Sequence, residues 1–213
     1  MANKVQTPET DLMVETKGKL ELFFDKYGSK LLKALAAVTL IAVIAFVAIS
    51  IISNKELKAE NTAQAALTVA LTNEGDVQAF ETIVNEYEGT KAANTAAYIA
   101  GAEYLKAGDI ATAKTFLEKY VDVEGAAGEV FNALVYTLRG DIAVEENDLQ
   151  TAADLFTKAL AASDDKFNAE TATKKLALVY EAMGDKAAAE KAYVELVAKY
   201  PELKAQYNKF IFE

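Results

Sequence analysis

The chain has 213 residues, 52% of them hydrophobic, and carries 22 Lys and Arg against 32 Asp and Glu, for a net charge of −10. It contains no histidine, no cysteine and no tryptophan, and Arg139 is its sole arginine. These absences exclude a disulfide scaffold, thiol chemistry, zinc sites of the usual kind and a Ser-His-Asp triad. An acidic chain with one arginine is also a poor nucleic-acid binder, because phosphate contacts need clustered Lys and Arg.

Residues 1–33 form a short N-terminal segment. Residues 1–11 are polar and include Pro8, which predicts disorder. Beyond them Leu20, Phe23, Phe24, Tyr27, Leu31 and Leu32 recur at helical spacing with lysines between them. Two readings fit, an interfacial amphipathic helix or a plain extension of the apolar helix that begins at Ala34.

From Ala34 to Ile52 there are 19 consecutive residues without charge, and only Thr39 and Ser50 are polar. At ~1.5 Å per residue this is roughly 28 Å of helix, matching the ~30 Å core of a bilayer, so residues 34–53 are expected to cross a membrane. A cleaved signal peptide is the alternative, but a 33-residue leader and so long an apolar run argue against it. Lys17, Lys19, Lys26, Lys30 and Lys33 precede the span, while only Lys55 and Lys58 come closely after it. The positive-inside rule then places the N-terminus in the cytoplasm and the rest across the membrane, in the periplasm of a Gram-negative cell.

Residues 54–60 are expected as a linker and 61–213 as an α-helical domain. The charge is split accordingly: residues 1–54 hold 6 Lys against 5 Asp/Glu, net +1, and residues 55–213 hold 16 Lys/Arg against 27 Asp/Glu, net −11. Within the domain a two-residue step recurs: Gly75-Asp76, Gly108-Asp109, Asn147-Asp148 and Gly184-Asp185, at spacings of 33, 39 and 37. Gly or Asn takes the left-handed conformation that ends one helix, and Asp caps the next. A period near ~34 residues is that of helix–turn–helix arrays. Small residues precede and follow each step and large ones come after, as close helix packing requires.

On these residues the chain resembles the tetratricopeptide repeat family. Gly101, Tyr104, Gly108, Asp109 and Ala113 follow its pattern, as do Ala177, Tyr180, Gly184, Asp185, Ala189, Tyr193 and Pro201. Gly140, Ala152, Phe156 and Ala159 fit with a longer connection, and a first unit around Leu67, Leu71, Gly75, Asp76 and Ala79 is degenerate. The family's early tryptophan is replaced by Ala97, Tyr136 and Thr173. The resemblance covers residues 61–201 and implies an all-α solenoid of antiparallel helix pairs. Leu203, Tyr207, Phe210 and Ile211 then predict an amphipathic helix over 202–212 that caps the stack, with a sticky tip at Phe210-Ile211-Phe212 as the other reading.

No catalytic constellation is found. The ten glycines are scattered, and Glu145-Glu146 and Asp164-Asp165 read as solvated helix ends rather than acid/base pairs. Asp122-Glu124 and Asp164-Asp165 lack the spaced-oxygen loop that a calcium site needs. No cofactor, metal or small-molecule substrate is expected. The family resemblance places peptide binding on the concave face lined by the first helix of each pair. Carried onto this chain, that face holds Thr95, Tyr98, Ala102 and Leu105, then Leu134, Thr137, Asp141 and Glu145, then Thr171, Lys174, Leu178 and Glu181. The Lys/Asn/Arg ring of carboxylate-clamp repeats is missing, since Lys106 and Lys174 stand apart. A mixed apolar and acidic groove suits unfolded or basic segments.

The whole layout, with Phe23-Phe24 and Gly28 before one span and an acidic repeat domain after it, is similar to the YfgM-type family of bacterial inner-membrane proteins. That resemblance implies an ancillary subunit of the SecYEG translocon, working with a periplasmic chaperone such as the membrane-anchored PpiD on newly translocated proteins. The alternative is a cell-envelope assembly scaffold that binds folded partners.

Overall fold

The computed structural model describes residues 8–73 and 76–211, with side chains throughout except at 8–26, 28, 29, 31, 32, 34–36 and 127. Residues 1–7, Gly75 and Phe212, and the side chains of Lys17, Lys19, Leu20, Phe23, Phe24, Lys26, Leu31 and Leu32, therefore lie outside the described residues. The regular structure is all helical: α1 Pro8–Thr72, α2 Val77–Glu86, α3 Lys91–Lys106, α4 Ile110–Glu118, α5 Ala126–Glu145, α6 Leu149–Ala162, α7 Lys166–Ala182, α8 Lys186–Lys199 and α9 Lys204–Tyr207. Two compact units are formed, Met1–Lys58 and Ala59–Glu213.

In the first unit, residues 8–11 are helical rather than disordered. Pro8 stands at the first helical position, where its fixed φ suits the start and its missing N–H costs nothing. From Ala37 onward α1 is long and apolar enough to cross a membrane. Its side chains there are exposed, Phe46 at 71% and Ile41 at 67%, so no protein core covers them. Residues 54–60, expected as a linker, continue the helix.

The second unit stacks helix pairs. The end of α1 shares a buried cluster with α2 and α3, and α3 packs with α4, α5 with α6, and α7 with α8. The turn inside each of the last three pairs is set locally. After α3, Gly108 has φ 83° and its N–H donates to the Leu105 carbonyl, while the Asp109 N–H donates back to Tyr104 at 2.9 Å. This Schellman closure repeats with Asn147 (φ 59°) and with Gly184 (φ 82°). The next Asp then caps the second helix: Asp109 accepts from the Thr112 N–H, Asp148 from Thr151 and Asp185 from Ala188, at 2.9–3.1 Å.

Packing reflects residue size. The buried side of α3 is Ala92, Ala93, Ala96, Ala97 and Ala100, a surface that lets neighbouring helices approach closely. Large side chains from the second helices fill the space: Leu117 against Gly101, and Phe156 against Gly140. Both glycines are buried, and a β-carbon at either would lie 2.5 Å from its partner. At the positions where the repeat pattern has tryptophan, Ala97 and Thr173 are buried, whereas Tyr136 is half-buried and bonds the Asp122 carboxylate.

The end of the stack differs from the single amphipathic helix expected. Residues 201–210 form a 3-10 turn at Pro201–Leu203, the one-turn α9 and a second 3-10 turn at Asn208–Phe210. Ten residues are too few for a helix to stabilise itself cooperatively. Side-chain contacts therefore set the path: Tyr207, 2% exposed, stacks on Tyr193 at 5.4 Å, and Phe210 stacks on the same ring at 4.7 Å. Tyr207 also donates to Glu170 at 2.5 Å. Leu203 and Tyr207 thus cover the last pair.

Candidate functional site

The first helices of the last three pairs, α3, α5 and α7, carry the residues expected to line a groove. On α3, Thr95, Tyr98, Ala102 and Leu105 are half-buried. The Thr95 hydroxyl donates back to the Lys91 carbonyl, and the Tyr98 ring meets Phe131 of α5 edge-on at 5.6 Å. Burial raises the Tyr98 hydroxyl above its ordinary pKa, so it stays a neutral donor. On α5, Leu134 and Thr137 are half-buried and the Thr137 hydroxyl is spent on the Ala133 carbonyl. Tyr98 and Leu105 pack into the cluster shared by α3, α4 and α5, while the two threonine hydroxyls are spent on their own helices.

The structure does bring Asp141 and Leu178 together. They line a recess of about 210 Å³ between α5, α6 and α7, with Val144, Leu149, Phe156, Lys175, Val179 and Ala182. Its floor is apolar, and its mouth includes Leu178 at 62% exposure and Val144 at 39%. Asp141 and Lys175 bridge the two first helices at 2.7 Å. Burial pushes the Asp141 carboxyl above its ordinary range and the Lys175 bond opposes that. Glu145 and Glu181, one turn further along their helices, are exposed. Asp141 and Lys175 neutralise each other in the lining, and Glu145 stands beside it.

Lys174 is placed elsewhere. It pairs with Glu170 at 2.8 Å and lies over the Tyr207 ring at 5.8 Å, so it secures the C-terminal segment. Lys106, likewise, pairs with Glu103 on its own helix at 3.5 Å. Thr171 is half-buried. Glu181 also faces a second recess of about 300 Å³, with Lys186, Ala189, Glu190, Tyr193 and Phe210, at the capped end. Among the described residues no group of three or more Asp and Glu is arranged to hold a metal.

Val144, Lys175, Val179 and Ala182 were not singled out from the sequence. A signal for Lys175 was present: it lies 34 residues after Asp141, one repeat period. The same offset joins Lys119 to Asn85 at 2.8 Å, and offsets of 32 and 35 join Lys114 to Glu146 at 2.7 Å and Lys199 to Asp164 at 2.5 Å. In a stacked array, residues one period apart are neighbours, so complementary side chains at that offset mark inter-repeat contacts.

Comparison with known proteins agrees with this geometry over part of the chain. No curated protein and no solved structure matches it. A family model described as tetratricopeptide repeat matches residues 175–202, which run from the middle of α7 through α8 to the turn at Pro201. The second unit is thus a stack of antiparallel helix pairs whose last pair is similar to a tetratricopeptide repeat.

Proposed function

We propose that this chain is a membrane-anchored protein–protein interaction module, with α1 as the anchor and the recess between α5, α6 and α7 as its contact for extended segments. The observation that carries the reading is the recess itself. Leu178 and Val144 are exposed over an apolar floor, and the Asp141–Lys175 pair spans it. An exposed leucine beside an open apolar pocket is a surface that gains from being covered. Exposed Glu145, one turn beyond Asp141, favours segments with a basic residue near an apolar side chain. A tether raises the local concentration of such a surface beside the membrane, so weak contacts suffice.

The finer reading is an ancillary subunit of the SecYEG translocon. Its N-terminus lies in the cytoplasm and its repeat unit in the periplasm, where it assists newly translocated proteins with a chaperone such as PpiD. The YfgM-like layout and the lysine asymmetry around the apolar segment support it. The test is in-cell photo-crosslinking from Leu178 and, separately, from Tyr98. Translocon subunits, a periplasmic chaperone and many client chains are the expected adducts. A single stoichiometric envelope protein would overturn the translocon reading in favour of a scaffold. Adducts with cytoplasmic proteins would overturn the orientation.

A further inference from the structure

The segment that caps the stack supplies only part of a first helix. Leu203, Tyr207 and Phe210 stand 37 residues after Lys166, Glu170 and Thr173, the step that also separates Asn147 from Gly184. Contacts near this offset repeat those between earlier pairs: Lys166 reaches Glu202 at 3.2 Å, and Gln206 donates to Glu170 at 2.9 Å. The segment therefore takes the place of a next first helix on α7 and α8. The first helices α3, α5 and α7 have 16, 20 and 17 residues, whereas this segment has turns of three, four and three.

In the preceding pairs the missing part has a defined role. Ile142 of α5 is buried with Ala113 and Leu117 of α4, and Val179 of α7 is buried with Ala152 and Phe156 of α6. Ala189 and Tyr193 hold the same two positions on α8, 37 residues after Ala152 and Phe156. The described segment, through Ile211, does not reach the position one step beyond Val179. At Ala189 and Tyr193 there is instead the recess of about 300 Å³ lined also by Glu181, Lys186, Glu190 and Phe210.

We propose that this recess seats an amphipathic helix of a partner protein, which completes the shortened first helix and continues the stack. The preceding interface states the chemistry of that helix. Where α7 covers α6 it presents Leu176 and Val179, and the adjacent Lys175 reaches back to Asp141 of α5 at 2.7 Å. Exposed Glu181 of α7 offers a corresponding carboxylate at the recess. The occupant is thus a helix with branched aliphatic side chains three or four apart and a Lys or Arg beside them. The lining agrees, with the carboxylates of Glu181 and Glu190 against the single ammonium of Lys186. The same balance disfavours a second copy, since residues 55–213 carry 16 Lys/Arg against 27 Asp/Glu. This surface is separate from the recess between α5, α6 and α7, and the proposal does not rest on that one.

The probe is a fluorophore-labelled synthetic peptide with the α7 sequence, Lys166–Ala182, titrated onto the full chain in detergent micelles. Saturable binding is expected, and a peptide carrying Val179→Glu should bind roughly tenfold more weakly because a charge would enter the apolar seat. In the chain, Glu181→Lys at its exposed position should weaken binding several-fold with helicity by circular dichroism unchanged. Ala189→Leu, which fills the recess, should abolish binding; if that variant loses helicity, Glu181→Lys decides. Leu178→Glu in the chain should leave binding unchanged. In detergent-opened membranes a photo-reactive residue at Lys186 should crosslink a second protein, and excess peptide should suppress that adduct. The proposal is overturned by the absence of saturable binding, by binding that Glu181→Lys leaves intact, or by a loss with Leu178→Glu, which would move the site to the other recess. It is equally overturned if the Lys186 position gives no adduct, one that the peptide does not suppress, or one with a second copy of this chain. Binding that appears only with Phe212→Ala would overturn it too, because the chain itself then fills the recess.

Discussion

The carbonyl oxygen of Val123 lies 1.9 Å from where a β-carbon on Gly128 would stand. The two belong to the connection between α4 and α5 and to the first turn of α5. Side-chain amides clamp that connection from both sides. Asn94 of α3 accepts from the Val121 N–H and donates to its carbonyl, both at 2.8 Å, and Asn132 of α5 does the same for Val123 at 3.0 Å. Arg139 reaches carbonyls at and just beyond the end of α4, donating to Leu117 at 2.5 Å and to Tyr120 at 3.0 Å. The loop therefore has no slack to yield to a methyl group. Gly128→Ala is expected to cost about 1–3 kcal/mol of stability, the usual range for forced overpacking. Denaturant unfolding measures it, and an unchanged midpoint would show that the loop moves freely.

Gly128 also marks where sequence reading stops. The turns at Gly108, Asn147 and Gly184 were legible because their cause is local: a left-handed residue, a capping Asp, and helix formers on both sides. Gly128 is required by a chain segment folded back from the preceding pair, and no pattern around residue 128 announces it. The candidate groove divides in the same way. The repeat pattern carried onto the chain put Asp141 and Leu178 on the first helices, and both line the recess. Lys174 fits that pattern equally well, yet Glu170 and the Tyr207 ring claim it, a contact that depends on where the C-terminal segment lands. The capping helix expected over 202–212 is broken into three short helical turns for the same cause, since Tyr193 and Glu170 dictate its course.

Acid should weaken the repeat unit. Hydrogen bonds from Thr112 and Thr151 hold the carboxyls of Asp109 and Asp148 below their ordinary value of 3.8, and Lys199 does the same for Asp164. A carboxyl whose folded pKa is lowered stabilises the fold fully above its unfolded value, and that contribution is lost as pH falls through the folded value. Thermal stability should therefore fall as pH drops below about 4. Asn caps a helix nearly as well as Asp but does not titrate. Asp109→Asn with Asp148→Asn should flatten this acid limb while leaving neutral stability close to unchanged. An acid limb as steep as in the parent chain would show that these caps do not set it.

Asp141 behaves in the opposite sense. Burial raises its carboxyl, so its own titration lowers stability as pH rises from the ordinary 3.8 toward the raised folded value. Lys175 offsets that cost at 2.7 Å, with both side chains about a third exposed or less, at 35% and 26%. Lys175→Met leaves a half-buried carboxylate without its cation. The expected loss is about 1–2 kcal/mol at neutral pH, discounted for solvent access. The loss should shrink at acid pH, once the pH falls below the raised folded value and Asp141 takes up a proton. Unfolding midpoints at the two pH values measure this, and an equal deficit at both would assign the effect to lost packing of the lysine stem.

Leu178 offers a direct separation of binding from folding. Its side chain is 62% exposed and rests at the edge of the recess rather than in the core, so Leu178→Ala should change stability by no more than about 0.5 kcal/mol. If the recess seats an apolar side chain of a partner, the same substitution removes one wall of that seat and crosslinked or copurified partners should fall several-fold. Leu178→Glu should act more strongly, because it sets a second carboxylate beside Asp141 and charges the apolar mouth. Phe167 is the matched control: at 72% it is more exposed than Leu178, yet it lies at the start of α7, away from the recess. Phe167→Ala should leave partner recovery unchanged. Equal losses from Phe167→Ala and Leu178→Ala would mean that general surface stickiness, and not this recess, recruits the partners. No loss from either would remove the recess from the binding surface altogether.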